Sequence, residues 1–241
     1  MTTDYRIKRV YTGNSSPTDS AILPVCIGND VHEGNKFKVT LKWIVQKFAH
    51  VHVLVVDALQ RHTIEFLEGV TPARAYDLSI KRGQEWVERH RELLETFGLR
   101  GNLIYWSDLL RTTEYPAHYQ IVAGALKSCA KLQSTLEMDI DAFERRLLRR
   151  SSNFNSAQLR ESCRNYILEE LAAQHQVNIK TAGVEVYPNV ELYSAQAIRA
   201  GLTPSIPSNF VAVGFVRMSY RRLKETPCIE KMVDCSISPL L

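Results

Sequence analysis

Ala21-Ile22-Leu23-Pro24-Val25-Cys26-Ile27-Gly28-Asn29 is the stretch on which the fold turns. It is a short apolar run ending at a glycine, and a polar loop, Asp30-Val31-His32-Glu33-Gly34-Asn35-Lys36, follows it. Directly after the loop, Phe37, Leu41, Ile44 and Phe48 recur at helical spacing. That order reads as a buried strand feeding a helix. The pattern then repeats. Val51–Val56 is a β-branched run ending at Asp57, and a helix from about Ala58 to Leu67 fits next. Thr71-Pro72 opens a long helix to about Phe97, since proline suits a first helical turn and Gly98 a stop. Asn102–Trp106, Val184–Tyr187 and Asn209–Met218 read as further strands. Helices are expected from about Thr113 to Leu148, from Asn155 to Gln174 and over Ser194–Ala200. Strands alternating with long helices predict an α/β fold. It would be a single Rossmann-like domain of about five mostly parallel strands with helices on both faces.

Composition narrows the class. Of 241 residues, 45% are hydrophobic and 23% charged, values ordinary for a globular protein. Residues 1–20 are polar, with Gly13-Asn14-Ser15-Ser16-Pro17 in the middle, and read as a loose leader to a single domain over 21–241. No apolar run is long enough to span a bilayer, and Met1-Thr2-Thr3-Asp4-Tyr5-Arg6 lacks the core of a signal peptide. A soluble cytoplasmic protein without a membrane partner is expected. The five cysteines, Cys26, Cys129, Cys163, Cys228 and Cys235, are odd in number and lack C-x-x-C spacing. Reduced thiols are expected, not disulfides or a zinc site. The histidines show no ligand spacing, so no metal and no cofactor are expected. A net charge of +4 excludes neither nucleic acid nor small molecules; its clustering decides.

In parallel sheets, ligands gather outside the carboxyl ends of the strands. Neither G-x-G-x-x-G nor G-x-x-x-x-G-K-S/T follows the first strand, which excludes the dinucleotide fingerprint and the P-loop. What stands there is Cys26, with Gly28 allowing close backbone approach and Asn29 opening a polar loop. A thiol at that position is either a nucleophile or a small buried core residue. On the helix from Asn155, the apolar stripe is Leu159, Cys163, Tyr166, Ile167 and Leu171, and Glu170 falls within it. A carboxylate facing inward either meets a substrate ammonium or pairs with a hidden cation. Tyr187 closes the fourth strand, where its hydroxyl can reach a substrate or cap the core. Asp57, closing the second strand, suits a helix N-cap and lies on the ligand side of the sheet. Two basic clusters stand out. Arg74, Lys81, Arg82, Arg89 and Arg91 are interleaved with Asp77, Glu85, Glu88 and Glu92, as on a solvated helix face. Arg145, Arg146, Arg149 and Arg150 are one-sided enough to suit a phosphate backbone.

Taken together, these residues resemble the cyclodipeptide synthases, from about Ile22 to Met218. The likeness rests on Val25-Cys26-Ile27-Gly28-Asn29 with His32-Glu33-Gly34-Asn35-Lys36-Phe37, on Trp106 to Tyr115, on the pair Tyr166 and Glu170, and on Tyr187-Pro188. Tyr187-Pro188 is similar to the signature that names one of two subfamilies, although Asn29 is more typical of the other. The resemblance implies a fold like the catalytic domain of class I aminoacyl-tRNA synthetases. H-I-G-H and K-M-S-K-S are absent, which fits amino acids arriving already activated, without ATP. It implies two aminoacyl-tRNAs as substrates and a cyclic dipeptide (a diketopiperazine) as product, formed by ping-pong covalent catalysis. The family nucleophile is serine; here Cys26 stands in its place and would give a thioester. Tyr166 and Glu170 would hold the α-ammonium, and Tyr187 would move protons as the dipeptide cyclises. The second aminoacyl-tRNA would supply its amine to the acyl-enzyme to give a dipeptidyl-enzyme. Gly28, Asn29, Asp57 and Tyr115 would line the substrate site, and the long helix would bind tRNA. Two rival functions are a thiol-dependent hydrolase or amidase, with His32 as base, and a non-catalytic tRNA-binding protein.

Overall fold

The computed structural model describes residues 4–12, 18–148, 155–188 and 190–223. Six strands form one sheet: β1 (Tyr5–Thr12), β2 (Ser20–Cys26), β3 (His50–Val56), β4 (Leu103–Tyr105), β5 (Val184–Tyr187) and β6 (Gly214–Arg222). Their order is β1-β6-β5-β2-β3-β4, and only β1 on β6 is antiparallel. The expected α/β architecture holds, with one strand more. Tyr5–Thr12, within the stretch expected as a loose leader, pairs with β6 along its length. It is an edge strand, and Arg6, Lys8 and Arg9 hide its periodicity. Such charges are common on sheet edges, where they discourage pairing with other chains.

Alternation along the strands divides the core in two. Leu23, Val25, Val53 and Val55 pack against Phe37, Leu41 and Ile44 of α1 (Gly34–Lys47) and Trp86 of α3 (Pro72–Arg89). Ile22, Leu54 and Val56 face the other way, onto α5 (Trp106–Leu110) and Ala173 and Val177 of α8 (Ser156–Thr181). A third cluster joins α6 (Tyr115–Ser128), α7 (Ala130–Leu148), α8 and α9 (Tyr193–Arg199) through Val122, Leu136, Ile140, Leu171 and Ile198. Burying each large apolar side chain contributes on the order of 2–3 kcal/mol.

Helix ends follow local chemistry. Thr71 accepts a hydrogen bond from the Arg74 N–H at 3.3 Å, which caps α3 as Thr71-Pro72 suggests. The long helix does not reach Phe97. It breaks at His90, whose ring stacks on Trp86 at 4.4 Å and bonds the Trp86 carbonyl at 2.9 Å. The remainder is α4 (Arg91–Thr96), so Arg91 is not on α3. A Cβ on Gly83 would stand 2.6 Å from the Asp57 Cβ, so glycine lets α3 press against the end of β3. Between β3 and α3 lies α2 (Arg61–Glu68). Asn155 accepts from Ala157 and Gln158 N–H and starts α8. That helix continues past Gln174 to Thr181, because Val177 and Thr181 are themselves buried. The last strand begins at Gly214 instead of Asn209, since Ser208–Phe210 forms a 3₁₀ turn.

Candidate active site

β2 delivers Cys26 to the carboxyl edge of the sheet, and the chain turns there at Gly28, whose φ of +81° disfavours any side chain. Asn29 accepts from the Val31 N–H at 3.3 Å and so closes the following turn. His32, 1% exposed, places Nδ1 3.0 Å from the Cys26 amide nitrogen and 3.2 Å from its carbonyl oxygen. The amide can only donate, so Nδ1 is the bare nitrogen. Burial pushes this imidazole down to about 4, and it stays neutral. His32 therefore braces the loop through the Cys26 backbone, and none of its hydrogen bonds is to Sγ. The base that the hydrolase reading requires is not in place.

The partner of Sγ is Tyr187, whose hydroxyl donates to it at 3.1 Å. Both open onto a cavity of about 390 Å³ that Tyr166 and Glu170 also line. The structure thus brings Cys26, Tyr166, Glu170 and Tyr187 around one space. Burial pushes the thiol up to about 12, against the pull of the Tyr187 hydrogen bond, and Glu170 and Glu185 add to the rise. Burial is also the main cause that raises Glu170 to about 8, followed by repulsion from Glu185 and Asp139. Tyr166 is held well above its ordinary value by burial and by Cys26 and Glu170. A site that keeps a thiol protonated and a carboxyl near neutrality suits a cationic guest, whose arrival ionises the carboxylate.

Several residues here escaped the sequence reading. Glu185, Gln174, Asp139 and Glu191 all line the cavity. Asp139 caps α9, accepting from Tyr193 N–H at 2.7 Å and Ser194 N–H at 3.0 Å, while Glu191 pairs with Arg199. Glu185 had a visible signal, since it lies two residues before Tyr187 and strand alternation sets both on one face. On α8, Glu169 and not Glu170 is the carboxylate sealed in the core: it is 3% exposed and accepts a fork from Arg61 and a bond from Trp106 Nε1 at 3.3 Å. Glu170 is left free to face the cavity.

Two expected substrate residues lie elsewhere. Asp57 is 2% exposed, and both its carboxylate oxygens are taken, by the Ser107 N–H at 2.8 Å and the Ser107 hydroxyl at 2.7 Å. It anchors α5 to the end of β3 and does not line the cavity. Tyr115 lines a separate, open depression with Arg61, Tyr119 and Glu169, because α6 turns its first residue to the far side of α8. Asn29 lines the cavity beside Cys26. The basic clusters are mostly engaged. Arg82 forks onto Glu68, Lys81 meets Glu85, Arg89 meets Glu33 and Arg91 meets Glu88; Arg74 is exposed. Arg145 is exposed at the end of α7, and Arg146 reaches the cavity rim; Arg149 and Arg150 lie outside the described residues. Among the described residues no His/Cys/Asp/Glu group has a metal-binding arrangement, and no helix is long and apolar enough to cross a membrane.

Comparison with known proteins gives this geometry its context. No curated protein matches the chain significantly. A cyclodipeptide synthase from Fluoribacter dumoffii superposes with a TM-score of 0.78 at 22% identity, covering 92% of this chain and 100% of that one. One from Candidatus Glomeribacter gigasporarum, solved bound to Phe-tRNAPhe, gives 0.59 at 19% identity over 91% and 93% of the two chains. A Mycobacterium tuberculosis protein, described as demonstrating that these enzymes are related to type I tRNA synthetases, gives 0.63 at 15% identity over 83% and 84%. At such identities the likeness shows the fold: a mixed α/β domain with a mostly parallel sheet. The family model described as cyclodipeptide synthase matches residues 16–174, most of the chain, and so includes Cys26, Tyr166, Glu170 and Gln174 of the cavity but not Glu185 or Tyr187. The chain therefore belongs to the cyclodipeptide synthase family, enzymes that form peptide bonds from aminoacyl-tRNAs.

Proposed function

We propose that the protein joins two aminoacyl groups, delivered by tRNA, into a cyclic dipeptide by ping-pong catalysis through a thioester on Cys26, as a member of the Tyr-Pro subfamily. The observation that carries this reading is the Tyr187 hydroxyl on Cys26 Sγ, 3.1 Å away, at the cavity that also holds Glu170. A thiol held near pKa 12 does not ionise on its own, so its proton leaves as the sulfur attacks. The S–C bond forms, the ester C–O bond breaks, and the proton passes through Tyr187 to the departing ribose oxygen. Tyr166 and Glu170 hold the α-ammonium of the bound residue. Glu170, ionised by that ammonium, takes its proton when the amine becomes a nucleophile.

Atom balance reverses one step expected from the sequence. For a dipeptide to remain on Cys26, the enzyme-bound amine must attack the ester of the second aminoacyl-tRNA, not the reverse. The new C–N bond forms, the second ribose oxygen leaves with the proton, and the dipeptide stays on sulfur. Its free amine then attacks the thioester, closing the ring and returning the proton to Cys26. The tRNA approaches across the rim carrying Arg146, with the outer face of α3, where Arg74, Lys81, Arg82 and Arg89 stand, as a further contact. The test is to incubate the protein with charged tRNAs and detect cyclic dipeptides by mass spectrometry. Cys26→Ser restores an oxyester route and keeps activity; Cys26→Ala abolishes it. Absence of product with every amino acid, for the protein and for Cys26→Ser alike, overturns the reading.

A further inference from the structure

The sheet face beneath the cavity is apolar below its carboxyl edge, where Cys26 and Tyr187 stand, except at Glu185. Ile22, its partner on β2, lines one recess with Glu185, Pro24 and Leu54, and Glu185 projects from β5 on the same side as Tyr187. A carboxylate among such neighbours is costly unless something positive meets it. Nothing in the described protein does so directly. The Gln174 amide donates to it at a long 3.4 Å. Arg199, which eases the cost from a distance, is already held by Glu191 and by the Ala212 carbonyl at 2.7 Å. Arg146 is at the cavity rim. Gln174 adds a second acceptor, because its carbonyl oxygen is buried with no partner in the described structure. Gln174, Glu185, Pro24 and Leu54 also line an adjoining apolar recess closed by Val177 and Ala212. The local chemistry is a largely aliphatic cavity wall that carries two oxygen acceptors, one of them an ionisable carboxyl.

Resting on the synthase reading above, we infer that Glu185 is a specificity residue selecting an aminoacyl group whose side chain ends in a protonated nitrogen, as in lysine, arginine or histidine. Glu170 meets the α-ammonium, and Glu185 with Gln174 meets the second positive charge. The stem of the side chain lies along Pro24 and Leu54. A neutral aliphatic residue would leave the carboxylate and the Gln174 oxygen buried and unmatched, which disfavours it strongly.

The experiment supplies the protein, Glu185→Gln and Glu185→Leu with all twenty charged tRNAs and reads every cyclic dipeptide by mass spectrometry. The wild-type products are expected to contain a basic residue. Glu185→Gln, which keeps shape and loses charge, should lower the ratio of basic to neutral products at least about tenfold. Glu185→Leu should move the products to neutral apolar residues; if it does not fold, the Gln variant carries the test. Wild-type products free of basic residues, or an unchanged product ratio in Glu185→Gln, overturn the inference and leave the synthase reading intact. No cyclic product from the wild type overturns both.

Discussion

Replacing Glu170 by Gln separates a carboxylate kept for substrate from one kept for the fold. In the free protein Glu170 is raised from 4.5 to about 8 by burial, by Glu185 and by Asp139. A carboxyl whose folded value is raised contributes stability that is fully present below 4.5 and is lost as pH rises through about 8. At about 1.4 kcal/mol per pH unit, that interval sets a ceiling near 5 kcal/mol. Glu170 reaches the open cavity, and solvent there screens part of the cost, so about 2–3 kcal/mol is the working expectation. Gln fills the same space without ionising. Glu170→Gln should therefore match the wild type near pH 5 and exceed it by about that amount near pH 9 in urea-unfolding series. Glu185, raised to about 7, leaves a residual slope in both proteins, so the difference between the curves is the readout. Cyclic dipeptide formation should fall by roughly a hundredfold or more, the loss of one charge-assisted contact to the α-ammonium. A variant less stable than wild type at pH 9, with activity falling only in step with the folded fraction, would refute the reasoning and make Glu170 a structural residue.

Further outcomes follow from other contacts. Tyr187→Phe removes the hydroxyl 3.1 Å from Sγ and should slow acyl transfer by roughly a hundredfold, with unfolding midpoints nearly unchanged. Asp57→Ala strips both anchors of α5 and should cost about 2–4 kcal/mol in denaturant unfolding, while KM for charged tRNA holds steady. Glu169→Gln breaks the buried Arg61 pair and should cost about 3–5 kcal/mol by the same measurement; a neutral result would mean that solvent reaches Arg61 freely.

The fold was readable where residues carry a strong period. Val51–Val56 is a strand with apolar residues buried on both faces, and the stripe of α8 packs inward, because the sheet and the helices leave them no other place. Tyr5–Thr12 was not readable, since an edge strand buries too little to force alternation. The site was legible in part. Cys26 and Tyr187 end neighbouring segments of the sheet, so topology alone brings their ends together. Asp57 and Tyr115 were misplaced because their environments are set by partners distant in sequence. Asp57 is taken up by Ser107, fifty residues on, and α6 turns Tyr115 toward Arg61. Helical spacing sets Glu170 in the apolar stripe but does not show that its neighbour Glu169 is the one that meets Arg61 in the core. That choice depends on where α2 packs.

The resting thiol has one more consequence, and it concerns chemical safety. Thiolates, far more than thiols, attack peroxides, disulfides and alkylating agents. A sulfur that keeps its proton to about pH 12 presents almost none of that form at neutral pH. On the proposed mechanism, Cys26 would stay protonated and slow toward other electrophiles, and would react when a bound ester offers both a carbonyl to attack and an oxygen to carry the proton away. In that mechanism the protection comes from the retained proton, since Cys26 is half-buried and opens onto the cavity.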